Sequence, residues 1–163
     1  TCEIAKGEQI RWLIDRDMDE VMPIELASFD YPWTEEEFFR VRRIRSCIGS
    51  VFERDHIVRG YVLYGLRKSS LAILNLAVAP CAQRQQIGSK MIKRLIDKLS
   101  EQRRRAIVVK VRESNLAAQL FFKHCGFRCV QVIRKAYSEC AEDAYVMRYR
   151  IESWNSDESE SEH

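Results

Sequence analysis

The chain has 163 residues, 46% of them hydrophobic and 31% charged, with a formal net charge of +3. That length and balance suit one globular domain with a sizeable core, and no run of 18 or more apolar residues is present to cross a membrane. No signal-peptide pattern opens the sequence, which begins at Thr1 rather than methionine as a trimmed chain or a fragment would, so a cytoplasmic protein is expected.

Alternation over Ile10 to Ile14 predicts a first strand, and Val21, Met22, Ile24 and Leu26 predict a helix over Met18 to Ala27. An aromatic loop, Phe29-Asp30-Tyr31-Pro32-Trp33, leads to Thr34-Glu35-Glu36-Glu37, a capping box in which Thr34 caps a second helix and Glu37 reaches back. Cys47 to Glu53 and Ile57 to Leu66 read as a hairpin, with Gly60 marking a bulge or a close backbone approach. The near-continuous apolar run Leu71 to Val78 predicts a central strand. A helix over about Ile87 to Gln102 follows, its Ile87, Met91, Ile92, Leu95, Ile96 and Leu99 forming one stripe. Ala106 to Val111 is another buried strand, and a short helix from Asn115, with Ser114 as its cap, ends at Gly126. Phe127 to Arg134 and Asp143 to Arg150 complete the strands. This order argues for a single α+β domain around one largely antiparallel sheet.

The domain is placed at residues 1–151, and residues 152–163 form an acidic tail too polar to bury anything and expected to be disordered. Five of the 24 acids fall in that tail, which leaves 27 basic against 19 acidic residues and +8 on the body. Arginine clusters at Arg40, Arg42, Arg43, Arg45 and at Arg103, Arg104, Arg105 could face nucleic acid or ribosome, but solvated helix faces explain them equally well. No nucleic-acid motif accompanies them, and no direct nucleic-acid contact is expected. The six cysteines (Cys2, Cys47, Cys81, Cys125, Cys129, Cys140) lack the paired short spacing of a zinc site, so free thiols and no metal are expected.

The most informative stretch runs from Asn75 to Lys90: an apolar strand, a proline turn, a polar loop, then the long amphipathic helix. A strand–loop–helix of this kind aims several backbone N–H dipoles and the positive helix end at one spot, which suits a pyrophosphate. Gly88 lets the backbone approach a ligand closely, and Arg84 and Lys90 add mobile positive charge. An ordinary strand-to-helix connection is the alternative.

Within this stretch, Gln83-Arg84-Gln85-Gln86-Ile87-Gly88 resembles the acetyl-CoA-binding loop of the GNAT superfamily of N-acetyltransferases, Gln/Arg-x-x-Gly-x-Gly/Ala, with Gln86 at the first glycine position. The resemblance extends through Tyr31-Pro32-Trp33-Thr34, Asn75-Leu76-Ala77-Val78, Arg112-Glu113-Ser114-Asn115, Gly126-Phe127 and Glu142-Asp143-Ala144-Tyr145-Val146-Met147. Within the superfamily it is most like the bacterial ribosomal-protein alanine N-acetyltransferases. It implies a GNAT-like domain whose mostly antiparallel mixed sheet of about seven strands splays in the middle and is flanked by about four helices.

The resemblance also implies a site. Leu76, Ala77 and Val78 supply a backbone edge to the pantetheine arm of acetyl-CoA, much as a peptide augments a sheet, and the Val78 N–H is the candidate oxyanion donor. Arg84, Gln85, Gln86, Ile87, Gly88 and Ser89 take the pyrophosphate. Asn115 contacts the cofactor arm, with helix capping as its alternative. The family's base, a glutamate or in related enzymes a histidine, falls at Lys110, and its tyrosine acid at Phe122. Lys110 would serve as a base only if burial or neighbouring charge such as Arg112 depressed its pKa, and an ion-paired or snorkelling lysine is the alternative. Glu113, acting through water, and Tyr137, which matches one of the family's paired groove tyrosines with Ser138 at the second, are further proton carriers. Tyr31, Trp33 and Tyr137 line the peptide slot, although Trp33 could equally be core. Glu25 and Asp30 could attract a protonated amine.

The implied activity is acetyl-CoA-dependent N-acetylation by direct attack of an α-amine of a protein or peptide, of the ribosomal-protein type. The partners implied are acetyl-CoA or CoA and a protein N-terminus, a ribosomal protein among them. Two alternatives stand: a small-amine or polyamine acetyltransferase, and a CoA-binding protein of weak catalysis in which Lys110, Phe122 and Gln86 have displaced the usual chemistry.

Overall fold

The computed structural model describes residues 3–151, so the acidic segment 152–163 lies outside the described residues. The strands are β1 (Glu8–Trp12), β2 (Cys47–Arg54), β3 (Ile57–Leu66), β4 (Ser70–Val78), β5 (Ala106–Arg112), β6 (Arg128–Ile133) and β7 (Ala144–Arg150). The helices are α1 (Met18–Ser28), α2 (Glu35–Arg42), α3 (Ile87–Glu101) and α4 (Leu116–His124). All the strands join one sheet in the order β1-β2-β3-β4-β5-β7-β6. Every neighbouring pair is antiparallel except β4 and β5. The expected single α+β domain with a mostly antiparallel mixed sheet is what the chain forms.

The sheet opens at its parallel pair. Pairing of β4 with β5 runs from Ser70↔Ala106 to Ile73↔Val109 and stops there. At the same level the β3–β4 register shifts, from Leu63↔Asn75 to Tyr64↔Ile73, so Leu74 is an extra, unpaired residue. A bulge of this kind bends its strand and increases the local twist. The outer half of β4 therefore turns away from β5.

Helices cover both faces. On one, Phe38 of α2 meets Tyr61 edge-to-face, with ring centroids 5.8 Å apart. On the other, α3 lays its apolar stripe on the sheet, burying Ile87, Met91, Ile92, Leu95 and Leu99. Gly60 is a point of close approach: a Cβ there would lie 3.0 Å from Met91 Cε of α3 and 3.1 Å from the Ala77 carbonyl of β4. The β2–β3 register also shifts beside it, so both readings of this glycine apply.

The capping box at Thr34 forms, with the Glu37 N–H donating to Thr34 Oγ1 and the Thr34 N–H to the Glu37 carboxylate. The cap of α4 is a correction. Asn115, not Ser114, holds that position, its Oδ1 accepting from the Ala118 N–H at 3.1 Å. The Ser114 N–H is instead bound by the Glu142 carboxylate at 2.9 Å, which holds that residue in the turn.

Lys90 is a second correction, since it is not mobile. It is 8% exposed, and its Nζ donates to Glu8 Oε2 at 2.7 Å, while Arg54 Nη2 donates to Glu8 Oε1 at 2.7 Å. Burial pushes the Glu8 carboxyl up, but hydrogen bonds from Lys90, the Ala5 N–H and Arg54 outweigh it and hold the group at about 2. This cluster ties the edge strand β1 to the first turn of α3. Because the folded value lies below the ordinary 4.5, the contribution is complete above about pH 4.5 and is lost as pH falls towards 2. Glu8→Gln is expected to cost about 3 kcal/mol at pH 7, since it leaves a buried lysine unneutralised, and to flatten the decline below pH 4.5. Urea unfolding from pH 2 to 7 checks both.

Candidate active site

The opening between β4 and β5 exposes backbone. The Ala79 N–H donates to the Arg59 carbonyl at 2.8 Å. Alternation along the antiparallel ladder then makes Tyr61↔Ala77 a hydrogen-bonded pair and leaves Val62↔Leu76 and Gly60↔Val78 non-bonded. The N–H and C=O groups of Leu76 and Val78 therefore face away from β3, towards the side from which β5 has withdrawn. Ala77 turns its own backbone groups to Tyr61 and borders the opening without offering them to it.

A cavity of about 390 Å³ lies beside this edge. It is bordered by Leu76, Ala77 and Val78, by the loop residues Arg84 and Gln86, by Ile87, Gly88 and Ser89 at the start of α3, and by Asn115, Phe121 and Phe122 opposite. Arg84 and Gln86 hold φ of 62° and 63°, in the left-handed region. A glycine suits the Gln86 position for that reason, and glutamine adopts it at a cost of about 1–2 kcal/mol. The Lys90 N–H makes the first bond into α3, to the Gln86 carbonyl at 2.9 Å. The N–H groups of Ile87, Gly88 and Ser89 consequently have no partner within the helix and, with the helix dipole, form an anion site. Gly88 is buried, and a Cβ there would lie 3.0 Å from the Phe121 ring. Gln85 does not border the cavity; its side-chain carbonyl accepts from Arg54 instead. Free N–H groups, the cationic Arg84 and an unpaired strand edge fit a pyrophosphate carrying a pantetheine arm.

A second cavity of about 190 Å³ shares Phe29, Leu76, Asn115, Ala118 and Phe122 with the first. Glu25 lies in its lining and is 1% exposed. The carboxylate accepts from the Trp33 N–H at 2.8 Å, from Asn75 Nδ2 at 2.8 Å and from the Tyr61 hydroxyl. Among the described residues, no cation is paired with it. Burial pushes the Tyr61 phenol up and the charge of Glu25 pushes it further, so Tyr61 stays a donor. The sequence carried a usable signal here: Glu25 falls on the buried stripe of α1 with Met18 and Val21, where a carboxylate is out of place. Asn75 and Tyr61, which hold it, carried none.

The opposite wall is a stack. Arg112 Cζ lies 4.5 Å from the Tyr31 ring centroid and 3.7 Å from that of Tyr137. The guanidinium also pairs with Glu139, and with Glu142 at 3.3 Å. Burial raises the Tyr137 phenol, against the opposing charge of Arg112, so it too is a hydrogen-bond donor at neutral pH. Trp33 lines the slot and also packs edge-to-face on Phe38, with centroids 5.2 Å apart. Asn115 caps α4 and borders both cavities.

The remaining candidates are dispersed. Lys110 is exposed in the slot wall. Phe122 is 4% exposed, borders both cavities and packs edge-to-face on Phe121 and Phe127. Glu113 and Asp30 are exposed and border neither cavity.

Comparison with known proteins gives this geometry its context. The model of the acetyltransferase (GNAT) family matches residues 18–127. The chain belongs to this family. A Bacillus subtilis (strain 168) protein provisionally named a ribosomal protein bS18-alanine N-acetyltransferase is 28% identical over 132 residues, 80% of this chain and 87% of the relative. The Salmonella typhimurium ribosomal protein bS18-alanine N-acetyltransferase is 26% identical over 137 residues, 83% of this chain and 92% of the relative. The crystal structure of the ribosomal-protein-S18-alanine N-acetyltransferase from Escherichia coli matches with a TM-score of 0.78 at 25% identity, covering 88% of this chain and 94% of that one. This GNAT protein is accordingly an acyltransferase, an acetyl-CoA-dependent N-acetyltransferase.

The cradle of the acetyltransferase yields two expectations. Gln86→Gly should stabilise the protein by about 0.5–1 kcal/mol, relief of the left-handed strain exceeding the added entropy of the unfolded chain. Gly88→Ala should push the Phe121 ring into the cavity and weaken CoA binding about tenfold, consistent with an overpacking cost of about 1–3 kcal/mol. Urea unfolding and calorimetric titration with CoA check the two variants.

Proposed function

We propose that this acetyltransferase modifies the N-terminal α-amine of a protein or peptide, of the ribosomal-protein type, by direct attack of the amine on the acetyl thioester. The observation that carries this reading is the buried Glu25 carboxylate without a cation, in a slot that shares a wall with the cofactor cavity. An ammonium entering the slot supplies the missing countercharge.

Glu25 holds the amine and takes its proton, directly or through one water, while Tyr61 and Asn75 fix the carboxylate. An α-amine has an ordinary pKa of about 7.7–8.0, so a modest base is enough. The Val78 N–H, on the free edge of β4, receives the oxyanion, and as the tetrahedral intermediate collapses the C–S bond breaks and CoA leaves as a thiolate that takes up a proton from water. Arg84 and the N–H groups of Ile87, Gly88 and Ser89 bind the pyrophosphate of acetyl-CoA, whose thioester is already activated, so no covalent enzyme intermediate is required. Tyr31, Trp33 and Tyr137 guide the peptide backbone, and Lys110 is left outside the proton transfer.

The names of the bacterial relatives support a ribosomal-protein acceptor. A polyamine acceptor fits less well, because Lys110 and Arg112 lie in the slot wall. A protein that merely binds CoA would have no use for a carboxylate kept buried beside the cofactor cavity.

Glu25→Gln keeps the shape and the hydrogen-bond acceptor, yet should lower kcat by about 10²–10⁴-fold, the usual worth of a general base. Affinity for acetyl-CoA should be unchanged. Steady-state turnover of peptides with free and with blocked N-termini is the measurement. Full activity of the variant, or equal turnover of the blocked peptide through its lysine side chains, would count against the reading.

A further inference from the structure

The acceptor slot carries opposite charges on different parts of its lining. Glu25 supplies buried negative charge. Two cations stand in the wall, Lys110 and Arg112. Arg112 is committed, since Glu139 and Glu142 pair with it and the rings of Tyr31 and Tyr137 cover it. Lys110 is exposed, and no acid pairs with its ammonium among the described residues. It follows Val109, the last β5 residue that pairs with β4, and so stands where the two strands begin to part. An ammonium in a slot wall with no acid to meet it is complementary to a carboxylate on whatever enters.

We infer that Lys110 makes this enzyme select N-termini carrying an aspartate or glutamate at the first or second residue. The inference rests on the peptide reading proposed above. With the α-amine held at Glu25, an extended peptide advances about 3.3 Å per residue. Glu25 and Lys110 line the same cavity of about 190 Å³, so a side chain one or two residues behind the reacting nitrogen is brought towards the flexible four-carbon lysine stem. Aspartate or glutamate there neutralises Lys110, whereas lysine or arginine meets a like charge. The contact acts on acceptor choice and involves no proton transfer, which separates Lys110 from the catalytic residues.

The test is kcat/KM for otherwise identical peptides beginning Ala-Asp, Asp-Ala, Ala-Ala and Ala-Lys, with free aspartate as a fifth acceptor, using the full chain and its Lys110→Ala and Lys110→Glu variants. The wild type should favour the acidic peptides over Ala-Ala by about fivefold, the scale of a partly exposed charge pair, and should disfavour Ala-Lys. Lys110→Ala should flatten the ranking and Lys110→Glu should invert it. Since Lys110 is exposed, the variants should fold, as a thermal melt will show. Turnover of Ala-Ala with a flat ranking, or a ranking that Lys110→Glu leaves unchanged, would overturn the role of Lys110 and leave the peptide reading standing. Acetylation of free aspartate with none of the peptides turned over would overturn both.

Discussion

The structure depends on one interruption: the hydrogen bonding between β4 and β5 stops after Ile73↔Val109. A continuous parallel pair would satisfy the facing backbone groups of β4 and β5 and leave no opening between them. By inserting Leu74 as an extra residue against β3, the chain leaves the N–H and C=O groups of Leu76 and the N–H of Val78 without strand partners, while the Val78 carbonyl accepts from Gln83 Nε2 at 3.4 Å. Unpaired backbone inside a domain is costly unless something bonds to it. The same feature that opens the cavity therefore favours its occupant.

Around that opening the protein arranges two different solutions to buried charge. Beside the first cavity it sets dipoles, the free N–H groups of the first turn of α3, together with Arg84, an arrangement that suits an anion such as a pyrophosphate. The charge of Glu25 is met by three neutral donors, from the Trp33 backbone, Asn75 and Tyr61. Neutral donors stabilise a carboxylate without cancelling it, so a local negative field remains at Glu25 that a cation feels. An arginine in the place of Tyr61 would bind Glu25 more tightly and remove its attraction for an amine.

Much of this was legible in the sequence, for identifiable reasons. Strands and helices followed from local periodicity, and α3 was read almost to the residue because its stripe is long and unbroken. The loop from Gln83 to Gly88 declared itself through its place between a buried strand and that helix. Its left-handed turn at Gln86 was hidden, because a glutamine there looks like any other polar loop residue. Lys90 misled for a related reason: its partner Glu8 is distant in sequence, and nothing local marks a lysine as buried. The α4 cap was misassigned by one residue since Ser114 and Asn115 have equal claims until Glu142 arrives from the loop before β7, the strand beside β5. For Glu25 the sequence offered its attraction for an amine and its place on the apolar stripe of α1, but the donors that cage it lay beyond local reading, because they depend on α1, β3, β4 and the aromatic loop meeting at one point.

The bond between Glu8 and Lys90 spans 82 residues. In a chain made from its N-terminus, Glu8 can meet its register partner Arg54 well before Lys90 exists. The entropy of closing a loop grows only slowly with its length, so the wait costs little stability. It does cost time, because contacts distant in sequence slow folding. The strand β1 can thus pair with β2 early, and α3 gains its anchor to that sheet edge only once Lys90 has been made.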